Sequence, residues 1–222
     1  MSAIIQYSTN HQVSIIGRLA GQYIKPRTNE FEEREGIVLP SYRGDGVNAI
    51  DFNKTKRQPN PKRLITAYHQ SSSTMNLIRS LIMAGYTDIN KINLWSKEIV
   101  KNDRLALKYG QIVKQIKTLL NFAQTSGIIK SPNQSMSSKN IYTSHEAILL
   151  DYENAFIFKG NESKHYCCSG HMLWVGDRTR GLDSAHVQFA SLINNPVGIK
   201  IGPKIEIDDI NALCEKINPN NE

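Results

Sequence analysis

The stretch GHMLWVGDRTRGLDSAHVQFASLINNPVGIKIGP, residues 170–203, decides the fold. An apolar run at residues 172–175 stops at a glycine, a segment with helical periodicity follows, and a second apolar run occupies residues 197–201. This pattern predicts two strands joined by a crossover helix. Such a unit is typical of a parallel α/β sheet.

Charged residues follow both predicted strands. Asp177 and Arg178 come directly after the first strand, and Lys200 lies near the end of the second. Because the carboxyl ends of parallel strands meet at one rim, we expect Arg178 and Lys200 to share a site. An arginine fork and a lysine point charge suit a small anionic ligand. The alternative is that both are solvated charges at strand ends.

Charge and composition leave several classes of partner open. The 222 residues are 40% hydrophobic, and 27 basic against 20 acidic residues give a net charge of +7. This surplus fits nucleic acid, an anionic membrane surface or phosphorylated substrates. No apolar run reaches the roughly 18 residues of a membrane-spanning helix, and the first residues lack the pattern of a signal peptide. We therefore expect a cytoplasmic protein that binds no membrane.

The three cysteines, Cys167, Cys168 and Cys214, follow no CxxC spacing. This odd number without that spacing argues against a disulfide framework or a zinc knuckle. His165 and His171 lie beside the first two cysteines, but their spacing matches no standard metal site. We expect buried or unreactive thiols and predict no metal ligand.

The N-terminal part predicts one strand and a loop. The β-branched run at residues 13–16 predicts a strand ended by Gly17 and Arg18, so that a base again follows an apolar strand. Lys25-Pro26-Arg27-Thr28 predicts a stiff turn with two cations. Residues 36–60 are rich in Gly, Asn, Pro and charge, and predict a loop.

Two helices are predicted next. Asn60-Pro61 marks a helix start, because Asn accepts a bond from a free amide and Pro suits the first helical position. The first apolar stripe ends at Gly85 and the second near Gly127, with an ambiguous segment at residues 92–100 between them. The first stripe comprises Leu64, Tyr68, Met75, Ile78 and Ile82, and the second Leu105, Ile112, Ile116, Leu119 and Ala123.

The C-terminal part returns to alternating strands and helices. After a polar connector at residues 131–139, residues 141–144 predict a strand ending at His145-Glu146. Either side chain could transfer a proton or bind a metal, but neighbours on a strand face opposite sides and are not expected to act together. A short helix, a loop and a last helix are predicted at residues 147–156, 162–169 and 207–217. About four strands alternating with helices argue for a parallel sheet with right-handed crossovers.

Six runs of sequence together resemble one known family. They are GRLAGQYIKPRT (17–28), YRGDGVN (42–48), AYHQSSSTMNLIR (67–79), TSHEAILLDYE (143–153), HMLWVGDRTRGLDSAHVQF (171–189) and NPVGIKIGP (195–203). In this order they resemble the class II, plant-type 3-deoxy-D-arabino-heptulosonate 7-phosphate (DAHP) synthases. These enzymes condense phosphoenolpyruvate with erythrose 4-phosphate, the entry step of the shikimate route to aromatic amino acids.

The resemblance implies the fold and the domain organisation. It implies an α/β protein that forms part of a (β/α)8 TIM barrel, about strands two to five, with extra helices inserted after the first strand present. Residues 1–222 would form a single partial-barrel domain, with a helical region at residues 62–130 and βα units at residues 140–217.

The resemblance also assigns roles to the cations. It implies phosphoenolpyruvate binding by Arg18, Asp177, Arg178 and Lys200, and erythrose 4-phosphate binding by Lys25, Arg27 and Thr28. Many relatives have Glu where this chain has Asp177. Trp174 would form a wall of the pocket, or else serve as a core aromatic.

The family uses a divalent metal, manganese or similar, but no ligand is carried over to this chain. The family's cysteine ligand belongs to a motif ahead of this chain, and its histidine, glutamate and aspartate ligands belong to motifs beyond it. We therefore expect an inactive isolated chain that forms a homo-oligomer or needs a complementary fragment. The alternatives are a non-catalytic half-barrel partner or regulator of a full-length synthase, a phenazine-type synthase of secondary metabolism, and a nucleic-acid module. No nucleic-acid-binding motif supports the last.

Overall fold

The secondary structure comes from a computed structural model that describes residues 5, 8–9, 11, 13–18, 23–86, 103–128, 141–161 and 164–219, without the side chains of residues 103–105. The segments predicted at residues 92–100 and 131–139 lie outside this part of the chain. In chain order the elements are β1 (Ile15–Arg18), β2 (Phe31–Arg34), β3 (Ile37–Pro40), α1 (Lys62–Met83), α2 (Asp103–Thr125), β4 (Ile141–Glu146), α3 (Leu150–Asn154), β5 (Ile157–Lys159), β6 (His165–Cys167), β7 (Met172–Val175), α4 (Ala185–Leu192), β8 (Val197–Ile199) and α5 (Ile207–Ile217).

The main sheet has the strand order β1-β4-β7-β8. Strand β4 pairs with β7 in parallel, with Glu146 beside Trp174, and β7 pairs with β8 in parallel, with Trp174 beside Gly198. The predicted α/β class with a parallel sheet is therefore confirmed. Two antiparallel hairpins, β2–β3 and β5–β6, lie outside this sheet.

Helices α4 and α5 bury their apolar residues in one cluster with the end of β7. Val175, Val187, Ala190 and Leu213 form this core. Helix α4 is capped by Ser184, whose hydroxyl accepts a hydrogen bond from the backbone N–H of Val187 and satisfies one of the free amides of the first turn. The crossover helix predicted between the two strands is thus present.

The chain divides into two compact units, residues 16–73 with 142–222, and residues 1–15 with 74–141. The four-strand sheet with its helices α4 and α5 belongs essentially to the first unit. In the second unit, helix α2 buries Val113 and Ile116. Leu119 of the predicted stripe is instead exposed.

The predicted signals at both ends of α1 are confirmed. The Asn60 side-chain oxygen accepts a hydrogen bond from the Lys62 N–H. Gly85 has a φ of 76°, and the backbone N–H of Tyr86 donates to the Leu81 carbonyl over 3.0 Å. This bond and the left-handed glycine form the motif with which many helices end.

Several predicted boundaries were wrong. Strand β1 lies two residues later than the predicted run and includes Gly17 and Arg18, while β8 ends at Ile199. The predicted loop at residues 36–60 begins with β3, which pairs with β2 across a turn where Glu35 and Gly36 both have positive φ. Strand β6 lies in the other predicted loop, and α3 is shorter than the predicted helix. Strands of three or four residues are too short to show a clear alternation.

The core can be tested with two leucines on successive helices. Leu213 is 1% exposed and Leu192 is 71% exposed. We expect Leu213→Ala to lower the free energy of unfolding by about 2–5 kcal/mol, because it leaves a cavity in the core. Leu192→Ala should change it by no more than about 0.5 kcal/mol. Urea unfolding followed by circular dichroism measures both, and equal effects would contradict the packing described.

Candidate functional site: two cationic sites at the ends of the strands

The carboxyl ends of the main strands carry a connected set of side chains, which we call the cationic rim: Arg18, Glu146, Trp174 and Lys200. The Arg18 guanidinium lies 5.2 Å from the centre of the Trp174 ring. The indole N–H of Trp174 is 3.4 Å from Glu146 Oε2, and Lys200 Nζ is 3.8 Å from the same oxygen. Strands β1, β4 and β7 thus contribute one member each, and Lys200 directly follows β8.

The strand register explains this contact. Glu146, Trp174 and Gly198 are partners across three neighbouring strands and therefore point to the same face. A Cβ atom on Gly198 would lie 3.2 Å from the Trp174 Cβ, closer than most real contacts of this kind. A glycine at this position therefore leaves room for the indole.

Glu146 is the buried member of the cationic rim. Its side chain is 5% exposed, whereas that of Lys200 is 57% exposed. Gly176 packs directly against the carboxylate, and a Cβ there would overlap Oε1 and lie 2.8 Å from Cδ. The carboxylate is thereby fixed between the indole and the lysine, whose ammonium group remains accessible to a ligand.

Asp177 links the segments that follow β7 and β8. Its Oδ1 accepts a hydrogen bond from Arg180 Nε over 2.9 Å. This bond, with further contributions from the Gly202 backbone and Lys200, lowers the pKa of the Asp177 carboxyl. Asp177 is thus an exposed carboxylate that pairs with neighbouring groups of the same chain.

Arg178 lies in a second site, which we call the arginine pocket. This pocket has a volume of about 550 Å³ and contains Arg27, Thr28 and Arg178. Its full lining is Pro26, Arg27, Thr28, Asn29, Phe31, Glu32, Glu33, Arg34, Ser41 and Arg178. Lys25 is exposed and lies outside the lining as the structure describes it.

The segment that carries Arg27 and Thr28 is held in place by backbone groups of the following loop. Arg27 Nε donates to the Tyr42 carbonyl over 2.6 Å. The Ser41 hydroxyl donates to the Asn29 carbonyl over 2.8 Å. The cations are therefore presented by an ordered segment, although it contains no helix or strand.

Arg57 organises that loop, and sequence reasoning missed it. It is fully buried. Its guanidinium donates to the carbonyls of Pro40, Ile50 and Asp51 and to Glu32 Oε2, each over 3.0 or 3.1 Å. A single arginine in a segment without periodicity carries no sequence signal for such a role.

His145 and Glu146 face opposite sides of the strand, as predicted. His145 Nε2 lies 2.8 Å from Glu153 Oε1 in a buried cluster that also contains Cys167 and Ser169. Ser169 and Glu153 both approach the same ring nitrogen of His145, so the cluster lacks the opposed hydrogen bonds of a catalytic triad. Among the described atoms, His145 Nδ1 has no hydrogen-bond partner.

The thiols of the chain differ in environment. Burial raises the pKa of Cys167 to about 11, as expected for a buried thiol, but Cys168 and Cys214 are exposed, so the prediction of burial was wrong for these two. Because the thiolate is the reactive form, we expect Cys168 and Cys214 to react with a thiol reagent at pH 8 in the native protein. Cys167 should react only after unfolding. Mass spectrometry of the alkylated peptides measures this, and rapid modification of native Cys167 would contradict its burial.

The placement of Glu146 can be tested through Gly176. We expect Gly176→Ala to cost about 1–3 kcal/mol of unfolding free energy, because the methyl group must displace a buried carboxylate. Gly181→Ala is the matched control, since no heavy atom lies within 4 Å of a Cβ built at that glycine. Chemical denaturation compares the two variants. A Gly176→Ala variant as stable as the control would show that Glu146 lies elsewhere.

The described residues contain neither a cluster of metal-binding side chains nor a membrane-spanning helix. In the described ranges, no group of three or more His, Cys, Asp or Glu side chains is placed to hold a metal ion. No described helix is both long and apolar enough to span a bilayer.

The parallel sheet defines an α/β protein, and Arg18 and Lys200 lie at the carboxyl rim of that sheet. Comparison with known sequences then identifies its lineage. Residues 1–222 match the model of the class-II DAHP synthetase family, and the chain belongs to that family.

Curated relatives support this assignment. A phospho-2-dehydro-3-deoxyheptonate aldolase of Streptomyces coelicolor is 41% identical over 223 residues, covering all of this chain and 49% of that protein. Proteins of the same name from Mycolicibacterium smegmatis and Neurospora crassa are 35% and 36% identical, and this chain covers 48% of each. The chain therefore spans about half the length of the curated relatives it matches.

Proposed function

We propose that this chain provides substrate-binding sites of a DAHP synthase, which condenses phosphoenolpyruvate with erythrose 4-phosphate at the start of the shikimate pathway. The family and the names of the relatives support this reaction. The observation that carries the proposal is the cationic rim, in which four strand ends meet through Arg18, Trp174, Glu146 and Lys200.

Phosphoenolpyruvate is assigned to the cationic rim. Its carboxylate and phosphate groups require cations, and Arg18 and Lys200 supply a fork and a point charge. Trp174 positions the Arg18 guanidinium by a cation–π contact. Asp177 and Arg178 complete this assignment: Asp177 orients the loop through Arg180, and Arg178, the next residue of that loop, brings its charge from the arginine pocket.

Erythrose 4-phosphate is assigned to the arginine pocket. Arg27, Thr28 and Arg178 supply two guanidinium groups and a hydroxyl for its phosphate, and Lys25 adds charge nearby. The two substrates are both anionic and repel each other. Fixed cations at separate strand ends offset this repulsion and set the geometry of attack, which is how positioning and preorganised charge accelerate a reaction.

The arrangement also supports a partial (β/α)8 barrel, with the main sheet as about strands two to five. Because the relatives are about twice as long, we propose that turnover requires further barrel strands and the family's divalent metal. A second copy of the chain or a complementary fragment would supply the remaining surface. A chain of about half the relatives' length also fits a second candidate function, a half-barrel regulator of a full-length synthase. Stable co-purification with such an enzyme is the test.

The phosphoenolpyruvate assignment makes a direct prediction. We expect the chain to bind phosphoenolpyruvate in calorimetric titration, and Arg18→Gln or Lys200→Met to weaken binding about tenfold or more, since each removes a charge-assisted hydrogen bond. Lys204→Met is the control, because it removes the same charge from a residue outside the cationic rim. Assays with manganese should detect no DAHP from the chain alone.

Two results would contradict the proposal in different ways. Unchanged affinity for phosphoenolpyruvate in both rim variants would contradict its assignment to the cationic rim. Turnover by the isolated chain would instead show that no further strands are needed, while leaving the site intact.

A further inference from the structure

The arginine pocket contains two carboxylates, which a simple phosphate site does not need. Glu32 and Glu33 lie in its lining together with Arg27, Arg34 and Arg178, and Glu32 accepts hydrogen bonds from Tyr42 and the buried Arg57. A carboxylate repels a bound phosphate, so its presence among three guanidinium groups weakens the binding of a bare phosphate ion. This cost indicates that Glu32 contributes something else to recognition.

The Glu32 carboxylate is firmly held. Oε1 accepts a hydrogen bond from the Tyr42 backbone N–H over 3.0 Å, and Oε2 lies 3.1 Å from Nη1 of the buried Arg57. Arg34 Nη2 lies 3.5 Å from the same Oε2. The Tyr42 N–H bond, followed by Arg57, lowers the pKa of the Glu32 carboxyl, so the group is ionised near neutral pH.

Glu32 retains capacity to bind a ligand. An ionised carboxylate offers about four lone-pair positions, of which the hydrogen bonds from Tyr42 and Arg57 occupy two and the ion pair with Arg34 lies beside a third. Its side chain is 27% exposed in a pocket wall, although its partner Arg57 is completely buried. The free position can accept a hydrogen bond but cannot donate one, so it requires a donor, which in the proposed sugar-phosphate ligand is a hydroxyl group.

We propose that Glu32, clamped by Arg57, is a specificity-determining residue that makes the arginine pocket select phosphate esters bearing hydroxyl groups over phosphate esters without them. This inference rests on the proposed function, because that function places a hydroxylated sugar phosphate in the pocket. The guanidinium groups bind the phosphate of either ligand. Binding removes water from the Glu32 carboxylate. A hydroxylated ligand replaces the lost hydrogen bond, whereas an analogue without hydroxyls leaves the carboxylate unpaired.

A matched pair of ligands tests the proposal. Glycerol 3-phosphate and n-propyl phosphate share a three-carbon chain and a phosphate, and differ in the hydroxyl groups. Titration calorimetry on the whole chain should show glycerol 3-phosphate binding about tenfold more tightly, the effect of one charge-assisted hydrogen bond. In Glu32→Gln the two affinities should become nearly equal, with propyl phosphate binding at least as tightly as before.

Glu30→Gln is the control, since it removes the same charge two residues away, outside the pocket lining. It should preserve the tenfold preference. Thermal unfolding establishes that the variants are folded. If Glu32→Gln unfolds, Glu32→Asp is measured instead, because it keeps the charge but withdraws the carboxylate from the pocket and should also lose the preference.

These measurements separate the role of Glu32 from the proposed binding of phosphate esters by the chain. Equal affinities of the wild-type chain for the two ligands, or a preference that survives in the folded Glu32 variant, overturn the role of Glu32. Erythrose 4-phosphate binding that is lost in Arg27→Gln would still support the pocket assignment. If no phosphate ester binds the chain, both proposals are overturned.

Discussion

Parallel pairing of β4 with β7, and of β7 with β8, is the constraint on which the site depends. It directs the carboxyl ends of these strands to one rim, and it places Glu146, Trp174 and Gly198 on one face. A shift of one residue in this register would turn each side chain to the opposite face. The contact between Lys200 and Glu146 is therefore a consequence of backbone hydrogen bonding.

The sequence predicted this part well because its signals are local and repeated. Strand β7 and helix α5 have the predicted bounds, and Asn60 and Gly85 mark the ends of α1 as expected. Two of the cations predicted near strand ends, Arg18 and Lys200, lie in the cationic rim, although the predicted ends of β1 and β8 were displaced by two residues. What could not be predicted is which cations share neighbours, and the structure places Arg178 with Arg27 in one pocket lining.

The missed features depend on contacts between residues distant in sequence or in segments without periodicity. Arg57 contacts Glu32, which lies 25 positions earlier in the chain, and the sequence around Arg57 shows no regular alternation of apolar and polar residues. The buried cluster of His145 likewise joins a strand to Glu153 on a short helix and to Ser169 on a later turn. Secondary-structure propensity depends on neighbours along the chain. Hydrogen bonds between distant residues form only when the fold brings their groups together.

The two sites use the same electrostatic device. In each, a held carboxylate lies beside cations: Glu146 beside Lys200, and Glu32 beside Arg34 and the buried Arg57. Closely spaced cations repel one another in an unliganded protein, and an interposed carboxylate reduces that cost. The carboxylate also weakens unselective anion binding, so tight binding requires a ligand that satisfies it. A site built in this way gives up some affinity for phosphate in exchange for discrimination between phosphorylated compounds.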